Sequence, residues 1–100
     1  MNKILIIGPG AYGVSLSQIL IANNNVSFLG ICDSRLKQIQ SHQFKMFDVL
    51  IQPVNNTYLN YEDCFNNKQY DLIICCVPAK ELEFVVNELN PYIKQKNNHH

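Results

Sequence analysis

One hundred residues suit one small domain, and a hydrophobic share of 47% is enough to fill one core. Eight basic and eight acidic side chains give a formal net charge of zero without a basic stripe, which argues against a nucleic-acid surface and removes the repulsion that keeps copies apart. Only four successive apolar residues, Ile4 to Ile7, run up to Gly8. A signal h-region needs about 7 to 15 and a membrane span about 20, so neither a secretory nor a membrane-bound chain is expected.

The first predicted element is a strand over residues 3–7, Lys3-Ile4-Leu5-Ile6-Ile7. It is β-branched and leucine-rich without alternation, the pattern of a strand buried on both faces. Gly8, Gly10 and Gly13 then fall in a G-x-G-x-x-G frame, and Leu16, Ile19 and Leu20 follow at helical spacing. Strand, glycine turn and helix in that order are the context of a dinucleotide-binding fingerprint. In such a turn Gly8 permits the sharp exit from the strand. Gly10 removes the Cβ that would hold a pyrophosphate off the backbone, and Gly13 lets the helix pack closely on the sheet. Pro9 has no N–H, so the phosphate donors are the first-turn amides near Ala11 and Tyr12, and the Tyr12 ring covers the helix start.

Residues 22–26, "ANNNV", end this helix, and "VSFLGIC" predicts a second buried strand with Gly30 as a point of close approach. Asp33 follows twenty residues after Gly13. It reads equally as a carboxylate for the adenosine ribose and as the N-cap of a helix opening at "DSRLKQI". Facing the ribose, Asp33 would repel a 2′-phosphate that Arg35 would attract, a balance that leans to NAD over NADP. Residues 34–47 predict a short helix followed by irregular chain, and residues 54–59 a short third strand. Asn60 is placed to cap a helical turn through Phe65.

After the "NNKQ" break, "YDLIICCVP" predicts a further strand. Pro78 ends it and opens a helix; with Ala79 it lies at the carboxyl edge, where open α/β sheets bind ligands. Leu82, Val85, Val86, Leu89 and Ile93 recur at spacings of three and four, an amphipathic helix with an interruption at Asn90-Pro91. Lys80 reads as a solvated side chain, with a phosphate contact as the alternative. Residues 1–94 form the folded part and residues 95–100, "QKNNHH", a polar disordered tail.

Cys32, Cys64, Cys75 and Cys76 show no C-x-x-C spacing, and Cys75 and Cys76 on one strand face opposite ways. They read as buried thiols of a reducing cytoplasm rather than as metal ligands. His42, His99 and His100 have no sequence partner that suggests a metal or a general base. Alternating strands and helices predict an α/β fold: a Rossmann-type parallel sheet of about four strands, order 3-2-1-4, with flanking helices. It is expected to be incomplete at one edge, and that open edge favours a homo-oligomer.

Two blocks carry a family resemblance. Gly8, Gly10, Tyr12 and Gly13 match a G-x-G-x-[WY]-G turn, and "VSFLGI" (26–31) follows the second-strand pattern loosely. Val77-Pro78 and Leu89-Asn90-Pro91-Tyr92 match a strand ending in V-P and a helix ending in L-x-P-Y. On these residues the chain resembles the NAD-dependent glycerol-3-phosphate dehydrogenases over nearly all its length. The resemblance implies the N-terminal part of the NAD- or NADP-binding domain of an enzyme that interconverts dihydroxyacetone phosphate and glycerol 3-phosphate by hydride transfer, for phospholipid synthesis. It also implies a cofactor contact at position 31, where the family carries a polar or basic residue and this chain has Ile31. The family's nicotinamide-side lysine and its substrate and catalytic residues fall outside these 100 residues. The small-molecule phosphate substrate is therefore held elsewhere, and the chain alone is expected to be inactive. Two alternatives stay open: the start of another Rossmann dehydrogenase such as a ketopantoate reductase, against which "VPAKEL" speaks, and a non-catalytic or degenerate nucleotide-binding fragment.

Overall fold

The computed structural model describes residues 2–8, 10–30, 45–46, 49–50 and 54–97. The elements are β1 (Lys3–Ile7), α1 (Ala11–Leu20), β2 (Asn25–Leu29), β3 (Lys45–Met46), β4 (Val49–Leu50), β5 (Asn56–Tyr58), α2 (Tyr61–Phe65), β6 (Leu72–Cys75) and α3 (Ala79–Asn97). Four strands form one sheet in the order β5-β2-β1-β6, and every neighbouring pair is parallel. Numbered along the chain within that sheet, the order is 3-2-1-4, as the alternating elements predict. β3 and β4 form a separate antiparallel ribbon of two-residue strands; β3 falls in the stretch expected to be irregular chain, and the helix expected before it lies outside the described residues.

β1 sits between two neighbours with helices on both faces, which is why it is apolar from Ile4 to Ile7, with only Lys3 at its start exposed. Ile4 and Ile6 join Val14 of α1, Val26 and Phe28 in one core cluster. Leu5 and Ile7 join Leu29, Cys64, Val85 and Leu89 in the other, under α2 and α3. Each fully buried aliphatic side chain contributes roughly 1.5 to 3 kcal/mol, so a polar residue at any of positions 4–7 would cost a large part of the fold's stability. The same alternation separates the adjacent cysteines as expected: Cys75 packs on the α3 side and Cys76 on the α1 side.

Helix α1 is turned differently from its sequence pattern. Its inward stripe is Gly13, Val14 and Ser17, and Ile19 is 74% exposed. Ser17 can occupy the core because its hydroxyl donates to the Val14 carbonyl at 2.6 Å, which satisfies the buried oxygen. Helix α3 buries Val85 and Leu89, with Ile93 partly buried, while Leu82 and Val86 remain exposed. It also runs unbroken through Pro91 to Asn97, so the expected interruption at Asn90-Pro91 does not occur and residues 95–97 are helical rather than part of a tail. Pro91 is exposed, on the side where water can take the hydrogen bond that its missing N–H leaves unmade.

Side chains fix the strand ends. Lys3 N–H donates to Asp71 Oδ2 at 2.7 Å, and Asp71 N–H returns a bond to the Lys3 carbonyl at 2.8 Å. Asn55 makes the same kind of double contact with Val26, accepting from its N–H and donating to its carbonyl, both at 2.9 Å. These pairs set the β1–β6 and β2–β5 registers at their amino ends.

Candidate functional site

All four sheet strands run the same way, so their carboxyl ends share one rim. The ladder continues one step past each strand there: Gly8 N–H donates to the Leu29 carbonyl at 2.9 Å, Gly30 N–H to Tyr58 at 3.0 Å, and Cys76 N–H to Ile7 at 2.7 Å. The chain winds from β1 outward to β2 and β5, then crosses back to β6 on the other side of β1. The reversal of winding lies between β1 and β6, where open α/β sheets form their ligand crevice. The glycine turn and the 76–78 segment stand on its two sides.

The three glycines are held in different ways. Gly8 has φ +97°, and a Cβ there would lie 2.6 Å from the Cys76 carbonyl oxygen and 3.1 Å from Val77 Cγ1. A Cβ on Gly13 would collide with the Gly8 carbonyl oxygen and come within 3.2 Å of Ile6 Cγ2. The fold itself therefore requires glycine at both positions. Gly10 differs: its φ of −80° and ψ of −174° are open to any residue, and a Cβ there would meet no atom within 4 Å. Among the described residues nothing accounts for glycine at position 10. A bare backbone opening onto free space, at the mouth of a helix, fits an external group that approaches the main chain closely.

That helix start is prepared for an anion. Gly10 is the N-cap of α1, offers no side-chain cap, and is followed by a first turn with no acidic residue. By helix geometry the amides of residues 11–13 have no intrahelical acceptor, and the positive end of the dipole is left unneutralised. Helix α2 is the contrast within the same molecule. Asn60 caps it by accepting from the Asp63 N–H at 2.8 Å, and Glu62 and Asp63 occupy its first turn.

Of the residues singled out from sequence, Gly8, Gly10, Ala11, Tyr12 and Gly13 lie together at this turn, with Tyr12 85% exposed on the second residue of α1. Pro78 is exposed across the crevice at the end of the β6 segment, and Lys80 is exposed in the first turn of α3. Ile31, Asp33, Arg35, Cys32, His42, His99 and His100 lie outside the described residues. Sequence reading missed the Cys76 carbonyl and Val77 as the wall behind Gly8. Their signal was the strand order, which sets the end of β6 beside the first turn.

No nucleophile is prepared near the crevice among the described groups. Burial pushes the Cys76 thiol up, and burial with the neighbouring Cys76 does the same for Cys75, so both stay protonated at neutral pH. The described residues hold no cluster of metal-ligating side chains and no helix long and apolar enough to cross a membrane.

A parallel 3-2-1-4 sheet with its glycine turn between the first strand and helix defines a Rossmann-type α/β domain. The chain belongs to the ketopantoate reductase PanE/ApbA family, whose family model matches residues 4–98. Curated relatives carry a different activity in their names. The chain is 30% identical over 99 residues to the glycerol-3-phosphate dehydrogenase [NAD(P)+] of Streptococcus agalactiae (serotype III, strain NEM316), covering 95% of this chain and 29% of that protein. It is 30% identical over 101 residues to the same enzyme of Streptococcus mutans, with the same coverage of both proteins. The match to that of Mesoplasma florum is 32% over 102 residues, covering 94% of this chain and 29% of the relative. The chain thus spans about 29% of the length of the relatives it matches. No solved structure matches it.

Proposed function

We propose that this chain binds NAD or NADP at the Gly8–Gly13 turn and is the cofactor-binding part of a glycerol-3-phosphate dehydrogenase. The observation that carries the reading is Gly10, a glycine that neither backbone strain nor packing among the described residues demands, at the uncapped and acid-free start of α1. The relatives' names, which state NAD(P)+ and glycerol 3-phosphate, support the cofactor class and the reaction.

In this reading the amides of residues 11–13 donate to the pyrophosphate, and the backbone at Gly10 lets it approach. Ile31, Asp33 and Pro78 complete the cofactor contacts, and Asp33 at the ribose favours NAD over NADP. The nicotinamide supplies the hydride, and the protein orients it toward dihydroxyacetone phosphate. The substrate and the proton donor belong to residues beyond this chain, so residues 1–94 are the nucleotide half of a larger site. Free thiols at Cys64, Cys75 and Cys76 and a net charge of zero support a cytoplasmic location. The family model favours a second reading, a ketopantoate reductase with the same cofactor turn. Both readings share the site and differ only in the substrate.

The test is a titration of the ¹⁵N-labelled chain with NADH and with NADPH, followed by amide chemical shifts. The amides of residues 10–13 should move first and saturably, with NADH the tighter ligand, and Asp33→Ala should narrow the difference. Shifts scattered over the surface, with residues 10–13 unmoved, would refute the site. Mixed with NADH and dihydroxyacetone phosphate, the chain alone should show no oxidation above background.

A further inference from the structure

A second surface lies between α2 and α3, on the sheet face opposite α1. Tyr92 of α3 stacks on Tyr61 at 5.7 Å and on Phe65 at 5.1 Å, both from α2, so its ring is held by two neighbours. Open hollows flank that ring. One, of about 490 Å³, runs along α3 and is lined by Phe84, Asn87, Glu88, Pro91 and Tyr92. The other, of about 370 Å³, reaches across α2 past Glu62, Asp63 and Phe65. Tyr92 borders both, so they form one groove. Phe84 is 66% exposed at its outer wall. The charged groups along the groove, Glu62, Asp63 and Glu88, are all carboxylates. Among the described residues no cation pairs with Glu62 or Glu88. Lys68 is turned elsewhere: its Nζ donates to the Asp63 and Asn66 carbonyls and sits 5.2 Å from the centre of the Tyr58 ring. Burial, then the nearby Glu88 carboxylate, raises the Tyr61 hydroxyl, which sets Glu88 on the α2 side of α3. Pro91 adds one more acceptor. It brings no N–H to the helix, so the Asn87 carbonyl lacks its usual donor one turn on, beside the groove.

We propose that this groove docks an arginine-bearing segment of a partner protein, with a guanidinium laid on the Phe84 ring and forked onto the Glu88 carboxylate. Phe84 and Glu88 stand one turn apart on α3, so their side chains are neighbours and one guanidinium can reach both. The groove presents negative charge and acceptors, so its occupant must bring positive charge and donors. Its wall is aromatic. That suits a planar, weakly hydrated guanidinium that stacks better than it suits a compact, strongly hydrated ammonium. The Asn87 carbonyl takes a further N–H of the five a guanidinium carries. A second base in the same segment meets Glu62 across Tyr92. The groove needs little ordering to bind, because Tyr92 is already wedged against two rings. One anchor in an open groove makes a transient contact, with Kd on the order of 100 μM. This surface shares no residue with the cofactor turn, so the two proposals stand or fall separately.

The test is a titration of the ¹⁵N-labelled full chain with a capped peptide of alternating leucine and arginine, in about 0.1 M salt, followed by amide chemical shifts. The amides of residues 62–66 and 84–90 should move saturably while those of residues 10–13 stay still. The same peptide with lysine for arginine should bind about fivefold more weakly. With citrulline, which keeps the shape and loses the charge, binding should fall about thirtyfold. Phe84→Ala and Glu88→Gln should each weaken the arginine peptide about tenfold. Both positions are exposed, so the circular dichroism spectrum should be unchanged and the loss should report on docking alone. The absence of a saturable shift at these residues would overturn the proposal. So would a lysine peptide that binds as well, which needs only an acidic surface, or a citrulline peptide that binds as well, which needs only an apolar one. Wild-type affinity in either variant, or shifts at residues 84–90 that follow the concentration of the free chain and mark self-association, would overturn it too.

Discussion

The carbonyl oxygen of Cys76 stands 2.6 Å from the point where a Cβ on Gly8 would begin. Two chain segments far apart in sequence thus meet backbone to backbone, directly behind the turn proposed to hold the cofactor. Gly8→Ala must accept both a φ of +97° and this collision with main chain, which no side-chain rotation relieves. It should lower the unfolding free energy by about 2 to 4 kcal/mol in urea titrations. At Gly10, where neither constraint exists, alanine should cost about 1 kcal/mol or less.

Asn60 and Asp63 bond reciprocally, Asp63 N–H to Asn60 Oδ1 at 2.8 Å and Asn60 Nδ2 to Asp63 Oδ2 at 3.0 Å. Asn60→Ala removes the cap of the five-residue helix α2, which has little else to stabilise its start. The expected loss is about 1 kcal/mol in equilibrium unfolding; Asn60→Asp keeps the cap acceptor but loses the donor to Asp63 and sets two carboxylates side by side, so it should retain only part of the stabilisation.

Tyr70 donates its hydroxyl to the Cys64 carbonyl at 2.6 Å and lies beside the Cys64 thiol. Burial, then the bond to Cys64, raises the Tyr70 hydroxyl well above its ordinary 10.0, and burial raises the Cys64 thiol above its ordinary 9.0. A raised folded-state pKa means the unfolded chain loses these protons first. The stabilisation is complete below the unfolded values and is lost as pH climbs from about 9 through 10 toward the folded values. Thermal melts should therefore be flat near neutrality and fall steeply above about pH 9. In Tyr70→Phe the part of that fall above pH 10 should shrink.

The sheet was readable because β1 and β6 are short apolar runs bounded by strong breakers, and strand–helix alternation leaves few ways to wind them. The facing of α1 was not. Leu16, Ile19 and Leu20 look like its apolar stripe, yet Gly13, Val14 and Ser17 are the buried residues, Leu20 packs only partly against the core and Ile19 is exposed. A serine that bonds its own helix counts as apolar to the core, and a glycine that admits close packing scores as nothing on a hydrophobic pattern. Pro91 misled for a similar reason. A proline ends a helix in isolation, but here the flanking Leu89, Tyr92 and Ile93 are held by the sheet and α2 on either side of it. At the site, the glycine frame was plain in sequence. That Gly8 and Gly13 serve the fold while Gly10 is left for something else became visible only with Cys76 and Val77 in place.

Gly10 is the residue on which cofactor binding is proposed to depend, and one calorimetric experiment addresses it directly. NADH is titrated into the wild-type chain and into Gly10→Val, with unfolding curves confirming that both are folded. A Cβ at position 10 meets no described atom within 4 Å, so a branched side chain is expected to fit beside the helix start. It should leave the fold intact and cost about 2 kcal/mol of binding, or roughly thirtyfold in affinity. A folded Gly10→Val chain that binds NADH as tightly as wild type would show that the glycine turn is not the cofactor site.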